Sequence, residues 1–176
     1  MPWPDLRKKQ YSDFIKGLTP VFFAVLKFYL KNKCRLDIDE DYSNGKKGKS
    51  WNSAKIHTNL DLLDCLQKDY KDFNFGTIYA DHLVAIALDQ RFNQDFAYKT
   101  IVQDLNEKIM KRIRNEVAHE IMPVTEEKIN AMTGLTPQKI FDLFIKYIEN
   151  SGVRIPDGAW NSYDDMNDKI KSYLEI

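Results

Sequence analysis

The residues best suited to chemistry lie in one short stretch, Arg112-Ile113-Arg114-Asn115-Glu116-Val117-Ala118-His119-Glu120. Histidine changes its charge near neutral pH, so it can exchange protons with a substrate. Arginine presents a planar fork of N–H donors that fits phosphate and carboxylate oxygens. The spacing from Arg114 to His119 carries little weight alone, but Asn115 directly after the arginine and Ala118 directly before the histidine make the string more specific. The stretch therefore contains a proton carrier and an anion-binding group.

Most other catalytic patterns do not occur in the sequence. Its three histidines and two cysteines form no HExxH or paired-cysteine spacing, so we expect no metal site. The phosphate-binding patterns GxxxxGK(S/T) and GxGxxG and the nucleophile pattern GxSxG do not occur either, and we expect no cofactor. We predict structural or surface roles for His57 and His82, and reduced, packed thiols for Cys34 and Cys65.

The helix that carries the string determines where its side chains point. On a straight α-helix, Arg114 projects about 140° around the axis from His119, because five residues turn the helix by about 500°. Pro123 clashes with the carbonyl of His119, four residues back, so the helix should end or kink there. Either the kink re-aims the imidazole, or two copies of the helix line one cleft across a two-fold axis. An apolar stripe at helical spacing should bury this helix: Tyr98, Ile101, Val102, Leu105, Ile109, Ile113 and Val117.

A purely structural interpretation of the same helix stays open. Arg112 would then pair with Glu116 one turn later, and Arg114 would be a solvated charge. His119 would cap the helix C-terminus, where a cation is favoured.

Helical spacing dominates the rest of the chain, which predicts an all-α domain. Thr19 and Pro20 have the residue types of an N-cap and a first helical position, so they should separate the first two helices. Gly152 should end the helix that Thr136 and Pro137 begin. The predicted helices cover about residues 4–16, 20–34, 56–71, 77–92 and 95 to beyond 118, with three more beginning at 125, 136 and 162.

Composition limits the classes of protein that fit. Hydrophobic residues make up 43% of the chain and charged residues 30%, so it can bury a core. Lys and Arg number 26, as do Asp and Glu, so the totals do not indicate a strongly basic nucleic-acid binder. Residues 37–55 are predicted to form a mobile loop, although Lys46, Lys47 and Lys49 could alternatively attract a phosphate backbone. We see no signal peptide or membrane span, and expect a cytoplasmic protein without a membrane partner.

The string Arg114-Asn115-x-x-Ala118-His119 resembles the signature of HEPN-domain ribonucleases, which lies late in a long helix. Residues 141–149 and 160–167 are similar to the C-terminal end of the CRISPR-associated Csm-type accessory ribonucleases of type III systems. The likeness covers about residues 77–176, whereas residues 1–75 match only in being helical. In that family a CARF domain senses cyclic oligoadenylate and activates a HEPN nuclease. Nothing here alternates strands and helices as a CARF domain must, so we expect one HEPN domain over 1–176 without its sensor.

The resemblance implies an all-α HEPN-type helical bundle that forms a two-fold homodimer and cleaves single-stranded RNA without a metal. In such a site His119 would transfer protons, Arg114 would stabilise charge on the phosphoryl oxygens, and Asn115 would hold His119 or the phosphate. A basic rim for the RNA backbone would come from Lys108, Lys111 and Arg112, for which the alternative role is that of solvated helix charges.

Two other functions stay open at this point. The chain could be a HEPN toxin that a partner antitoxin neutralises, with the same site but no ligand sensor. It could also be a catalytically inactive helical module that only dimerises or binds RNA. In the CRISPR interpretation, cyclic oligoadenylate would act only through the sensor domain that this chain lacks.

Overall fold

The computed structural model describes residues 11–44, 50–69, 73–114 and 124–154, without the side chains of 69, 113 and 114. In chain order the elements are α1 (Tyr11–Lys33), α2 (Ile38–Asp41), β1 (Ser43–Asn44), β2 (Ser50–Trp51), α3 (Ser53–His57), α4 (Leu60–Asp69), α5 (Ala80–Leu88), α6 (Phe96–Leu105), a π-helix (Asn106–Arg114), α7 (Glu126–Thr133) and α8 (Pro137–Asn150). The described part of the chain is mostly helical, which confirms the predicted all-α class.

Helix α1 runs without a break through Pro20, so the predicted division into two helices at Thr19 and Pro20 is wrong. Pro20 and Lys16, whose carbonyl the proline ring would approach, are both exposed, so the lost hydrogen bond faces solvent. The buried face continues on both sides of the proline: Tyr11, Phe14, Ile15, Leu18, Phe22, Val25, Leu26, Tyr29 and Leu30. Burying such side chains contributes about 1.5–3 kcal/mol each, and together they outweigh the cost of about 3 kcal/mol for an internal proline.

Three tyrosines join α1, α6 and α8 at the centre of the core. The rings of Tyr29 and Tyr98 stack with centroids 3.6 Å apart, and the ring of Tyr147 stacks with that of Tyr98 at 5.6 Å. Tyr29 donates a hydrogen bond of 2.8 Å to Asn93 Oδ1, and Tyr147 donates one of 2.8 Å to the carbonyl of Phe22. Burial raises the pKa of all three phenols, so they stay neutral.

Residues 37–55, for which we predicted a mobile loop, contain regular structure where they are described. Helix α2 leads into an antiparallel pair in which Ser43 lies opposite Trp51 and Asn44 opposite Ser50. Trp51 is fully buried, and its backbone N–H donates a hydrogen bond of 3.0 Å to the carbonyl of Gly76. Strands of two residues are too short to show an alternating pattern in sequence, which is why the prediction missed them. The lysines at 46, 47 and 49 lie outside the described residues.

Side-chain caps set several helix boundaries. As predicted, the hydroxyls of Thr125 and Thr136 accept hydrogen bonds from the first turns of α7 and α8, and Gly152 follows α8 with a φ of 84°. The predicted helix over 56–71 is instead two helices, because the Asn59 side chain accepts from Leu62 N–H and opens a new one. The helix predicted from Ser162 lies outside the described residues. No helix of the described part is long and apolar enough to cross a bilayer.

Candidate active site

The π-helix ends at the first residue of the predicted catalytic string. Arg114 is its last residue, while Asn115 and His119 lie outside the described residues, as does the helix end predicted at Pro123. The backbone that leads into the string is therefore defined, and the catalytic assignments themselves stay predictions.

We had predicted an α-helix up to and beyond Arg114, but the chain does not keep that register. Helix α6 ends at Leu105, and residues 106–114 form hydrogen bonds of the wider i→i+5 type. This geometry is rare, and short stretches of it are frequent at functional sites. Burial still follows the predicted stripe, since Leu105 and Ile109 are fully buried. The angle of about 140° between Arg114 and His119 assumed 3.6 residues per turn and concerns residues outside the described part, so it stays a prediction.

The three residues predicted to form a basic rim have different surroundings. Lys108 pairs with Asp104 at 3.0 Å, one turn earlier. Arg112 is exposed, and its Nη1 makes a weak hydrogen bond of 3.5 Å to the carbonyl of Met132 at the end of α7. Lys111 is exposed between them and lines two surface clefts. Of the three, Lys111 is best placed to meet an anionic ligand.

Two clefts flank the π-helix on the surface of the bundle. The first, of about 380 Å³, lies between α1, the start of α5 and the π-helix, and its lining residues are Thr19, Pro20, Phe23, Ile78, Tyr79, Ala80, Asp81, Asn106, Met110 and Lys111. The second, of about 390 Å³, is lined by Asp81, Val84, Ala85, Leu88, Gln103, Asn106, Glu107 and Lys111. Both volumes are in the range of small-ligand sites. The clefts meet at the three residues they share: Asp81, Asn106 and Lys111.

Asn106 is a polar residue that the sequence reasoning did not single out. Its side chain is only 4% exposed, and its Oδ1 is buried without a hydrogen-bond partner. An unpaired buried acceptor of this kind costs about 1–3 kcal/mol of stability. The signal was present in the sequence, because Asn106 stands four residues after Val102 and four before Met110, both of which are buried. An amide in that row contradicts an apolar stripe.

The other two histidines have the structural and surface roles that the sequence predicts. His82 is buried, and its Nδ1 accepts hydrogen bonds from Trp51 Nε1 at 3.1 Å and from the N–H of Tyr79 at 3.2 Å. Burial lowers the pKa of His82, an effect that the charge of Asp81 opposes. His57 is exposed at the end of α3 and lies 2.7 Å from the carbonyl of Ser53.

Acidic side chains gather at the end of α5, where Arg91 neutralises them. Its guanidinium lies 2.7 Å from Asp64 and 2.6 Å from Asp89, and the hydrogen bonds to Arg91 lower the pKa of Asp89 to about 2. Across the described ranges 11–44, 50–69, 73–114 and 124–154, no three His, Cys, Asp or Glu side chains are grouped so that they could hold a metal ion. Metal independence stays a prediction.

An all-α bundle whose described helical segment, residues 96–114, leads to this string has the features of a HEPN domain. The sequence matches the family described as the Cas_Csm6 HEPN domain over residues 4–171, and the chain belongs to that family. The match includes residues 4–75, where the resemblance had consisted of helicity alone. No curated protein matches the sequence significantly. Membership places the chain among the HEPN domains of CRISPR-associated ribonucleases, so RNA is the class of substrate that the family implies.

Proposed function

We propose that the chain is a metal-independent endoribonuclease of single-stranded RNA that serves as the effector domain of a type III CRISPR antiviral system. The observation that carries the proposal is that one chain has both the family match over residues 4–171 and the string from Arg114 to His119. Cyclic oligoadenylate would control it through a sensor domain outside this sequence.

RNA supplies its own nucleophile, so the protein needs no serine or cysteine for the reaction. The 2′-hydroxyl attacks the adjacent phosphorus and the 5′-oxygen leaves, which gives a 2′,3′-cyclic phosphate and a 5′-hydroxyl. His119 is the proton-transfer group, because histidine titrates near working pH. Arg114 stabilises the charge that builds on the phosphoryl oxygens, and Asn115 holds His119 or the phosphate in register.

The RNA backbone approaches along the exposed side of the π-helix. Lys111 is exposed within one turn of Arg114, and its charge attracts phosphates. Lys108 contributes less than the sequence alone suggested, because it pairs with Asp104, whereas Arg112 is exposed and makes only a weak bond to the neutral carbonyl of Met132. The basic rim is thus centred on Lys111 and Arg112.

The working enzyme is a homodimer with the motif helices at the two-fold seam. Support for this step comes from the resemblance to dimeric HEPN proteins. Sharing of a site between two chains was predicted from the angle between Arg114 and His119, and that span lies outside the described residues. Dimerisation and site sharing therefore need separate tests.

The chemistry is tested with two labelled oligonucleotides of one sequence, one of RNA and one of DNA, each incubated with the full chain in EDTA. We expect RNA to be cut to products with 2′,3′-cyclic phosphate ends and DNA to stay intact, because DNA has no 2′-hydroxyl. Cleavage that EDTA abolishes and Mn²⁺ or Mg²⁺ restores contradicts the mechanism. RNA left intact in every condition contradicts the ribonuclease assignment itself.

A further inference from the structure

The junction of the two clefts presents an acceptor that lacks the partner its burial demands. Asn106 Oδ1 is enclosed without a hydrogen bond, at the first residue of the π-helix. Polar groups in protein interiors are nearly always paired, and the exceptions concentrate where function requires them. Because Asn106 lines both clefts, a rotation of its amide would bring a hydrogen-bonding atom to a ligand in either one.

The first cleft combines this amide with a solvent-exposed aromatic ring. Tyr79 precedes α5 and is 60% exposed, although its backbone N–H is fixed by His82. An unpaired nucleobase gains its affinity for proteins by stacking on rings of this kind. Asparagine amides are suited to base edges, because they carry a donor and an acceptor side by side.

The charges of Lys111 and Asp81 determine how such a nucleotide would be oriented. Lys111 is exposed at the junction and would hold a phosphate. Asp81, also exposed there, disfavours a phosphate beside it but accepts hydrogen bonds from a base amino group or a 2′-hydroxyl. The base thus belongs on the side of Tyr79 and Asp81, and the phosphate on the side of Lys111.

We propose that the first cleft is a nucleotide subsite, in which one unpaired RNA base stacks on Tyr79 and bonds to the Asn106 amide while its phosphate lies at Lys111. The proposal rests on the ribonuclease function above and adds how the protein binds the RNA strand near the phosphodiester that is cleaved. Lys111 is three residues before Arg114 in the chain, so the subsite would lie close to the start of the catalytic string. The second cleft, which shares the junction, gives the strand a continuous path past α5.

Binding is measured with the full chain carrying His119→Ala, so that cleavage does not consume the probe. The probes are fluorescein-labelled single-stranded oligomers of adenosine, cytidine and uridine. We expect Tyr79→Leu to weaken binding of the tightest oligomer by about tenfold, the size of one lost stacking contact. Asn106→Leu should reduce the differences in affinity among the three oligomers. Phe96→Leu is the matched control, since Phe96 is 79% exposed and lines neither cleft.

Thermal unfolding separates a binding role of Asn106 from a structural one. Replacing an unpaired buried amide with leucine should leave the melting temperature unchanged or higher. A lower melting temperature with unchanged RNA binding would show that Asn106 is structural and would overturn its part in the subsite. Should Asn106→Leu fail to fold, Tyr79→Leu decides alone, because its side chain is mostly exposed.

RNA cleavage is measured in parallel with the same proteins without the His119→Ala substitution. If Tyr79→Leu binds RNA as tightly as the His119→Ala parent, or if Phe96→Leu loses as much affinity, the subsite is overturned. RNA cleavage by the wild type would then still uphold the ribonuclease function. RNA binding that depends on Tyr79 in a chain that cleaves nothing upholds the subsite and rejects the catalytic function.

Discussion

Trp51 and His82 are joined by a hydrogen bond of 3.1 Å from the indole Nε1 to the imidazole Nδ1. The same Nδ1 accepts the backbone N–H of Tyr79 at 3.2 Å. A nitrogen that accepts two hydrogen bonds carries no proton, so the ring is neutral with its hydrogen on Nε2. The pair thereby ties β2 to the start of α5 and holds the backbone that presents the Tyr79 ring to the first cleft.

Trp51 and Ile56 anchor residues 50–57 to the core, because both side chains are fully buried. We expect Trp51→Ala to lower the free energy of unfolding by about 3–5 kcal/mol, because it removes a fully buried large side chain. Leu60→Ala is the control, since Leu60 is 73% exposed and its loss should change stability by less than about 0.5 kcal/mol. Chemical denaturation measures both. Equal stability of the two variants would return this stretch to the mobile loop that the sequence predicts.

The neutral state of His82 makes stability fall in acid. Its pKa is lowered by burial in the folded chain, so between that lowered pKa and the ordinary value of 6.5 the unfolded chain binds more protons. Stability is therefore fully present above pH 6.5 and decreases as pH falls below it. In His82→Asn, an amide oxygen replaces Nδ1 as acceptor without titrating. We expect the melting temperature of this variant to fall less from pH 7 to pH 5 than that of the wild type, and parallel curves would reject the assignment.

Pro20 lies inside a continuous helix, which predicts the sign of a substitution. Pro20→Ala restores an N–H that can bond to the carbonyl of Lys16, and it should raise the free energy of unfolding by up to about 3 kcal/mol. At the first position of a separate helix, as the sequence suggested, proline is favourable and the same change would be neutral or destabilising. Urea denaturation distinguishes the two, and a destabilised Pro20→Ala protein contradicts the single helix.

A dimer with a shared site makes two measurable predictions. Light scattering should give twice the mass of the monomer, and a fully active monomer would refute a composite site. Mixing Arg114→Ala and His119→Ala proteins should restore part of the activity if each site takes one residue from each chain, since one heterodimer site then keeps both groups. A dimer without restored activity would reject only this division of the residues.

Local rules predicted the elements whose ends depend on neighbouring residues. The caps at Thr125 and Thr136 and the glycine at 152 needed only their own turns, and the structure has them where the sequence placed them. Pro20 misled the same rules, because the buried face of α1 stabilises a helix that local propensity would break. The tertiary packing of α1, which a short sequence segment does not reveal, keeps the helix continuous through Pro20.

The sequence predicted less of the candidate site than of the fold. The string from Arg114 to His119 was recognisable, but the π-helix before it was not, because no residue pattern distinguishes an i→i+5 ladder from an α-helix. The clefts depend on the packing of α1 against α5 and against the π-helix, contacts that have no linear signature in the sequence. Asn106 was the one accessible sign, an amide in an apolar row.

Cleavage of a labelled single-stranded RNA in EDTA, by wild-type, Arg114→Ala and His119→Ala proteins, tests the central claim most directly. We expect each substitution to slow cleavage by at least about a hundredfold, in the range for losing a proton-transfer or charge-stabilising group. The controls are His57→Ala and Arg154→Ala, which remove exposed residues of the same types far from the string in sequence. These should cleave like the wild type, and all four variants should keep its circular dichroism. Near wild-type cleavage by the folded Arg114→Ala and His119→Ala proteins would contradict the account.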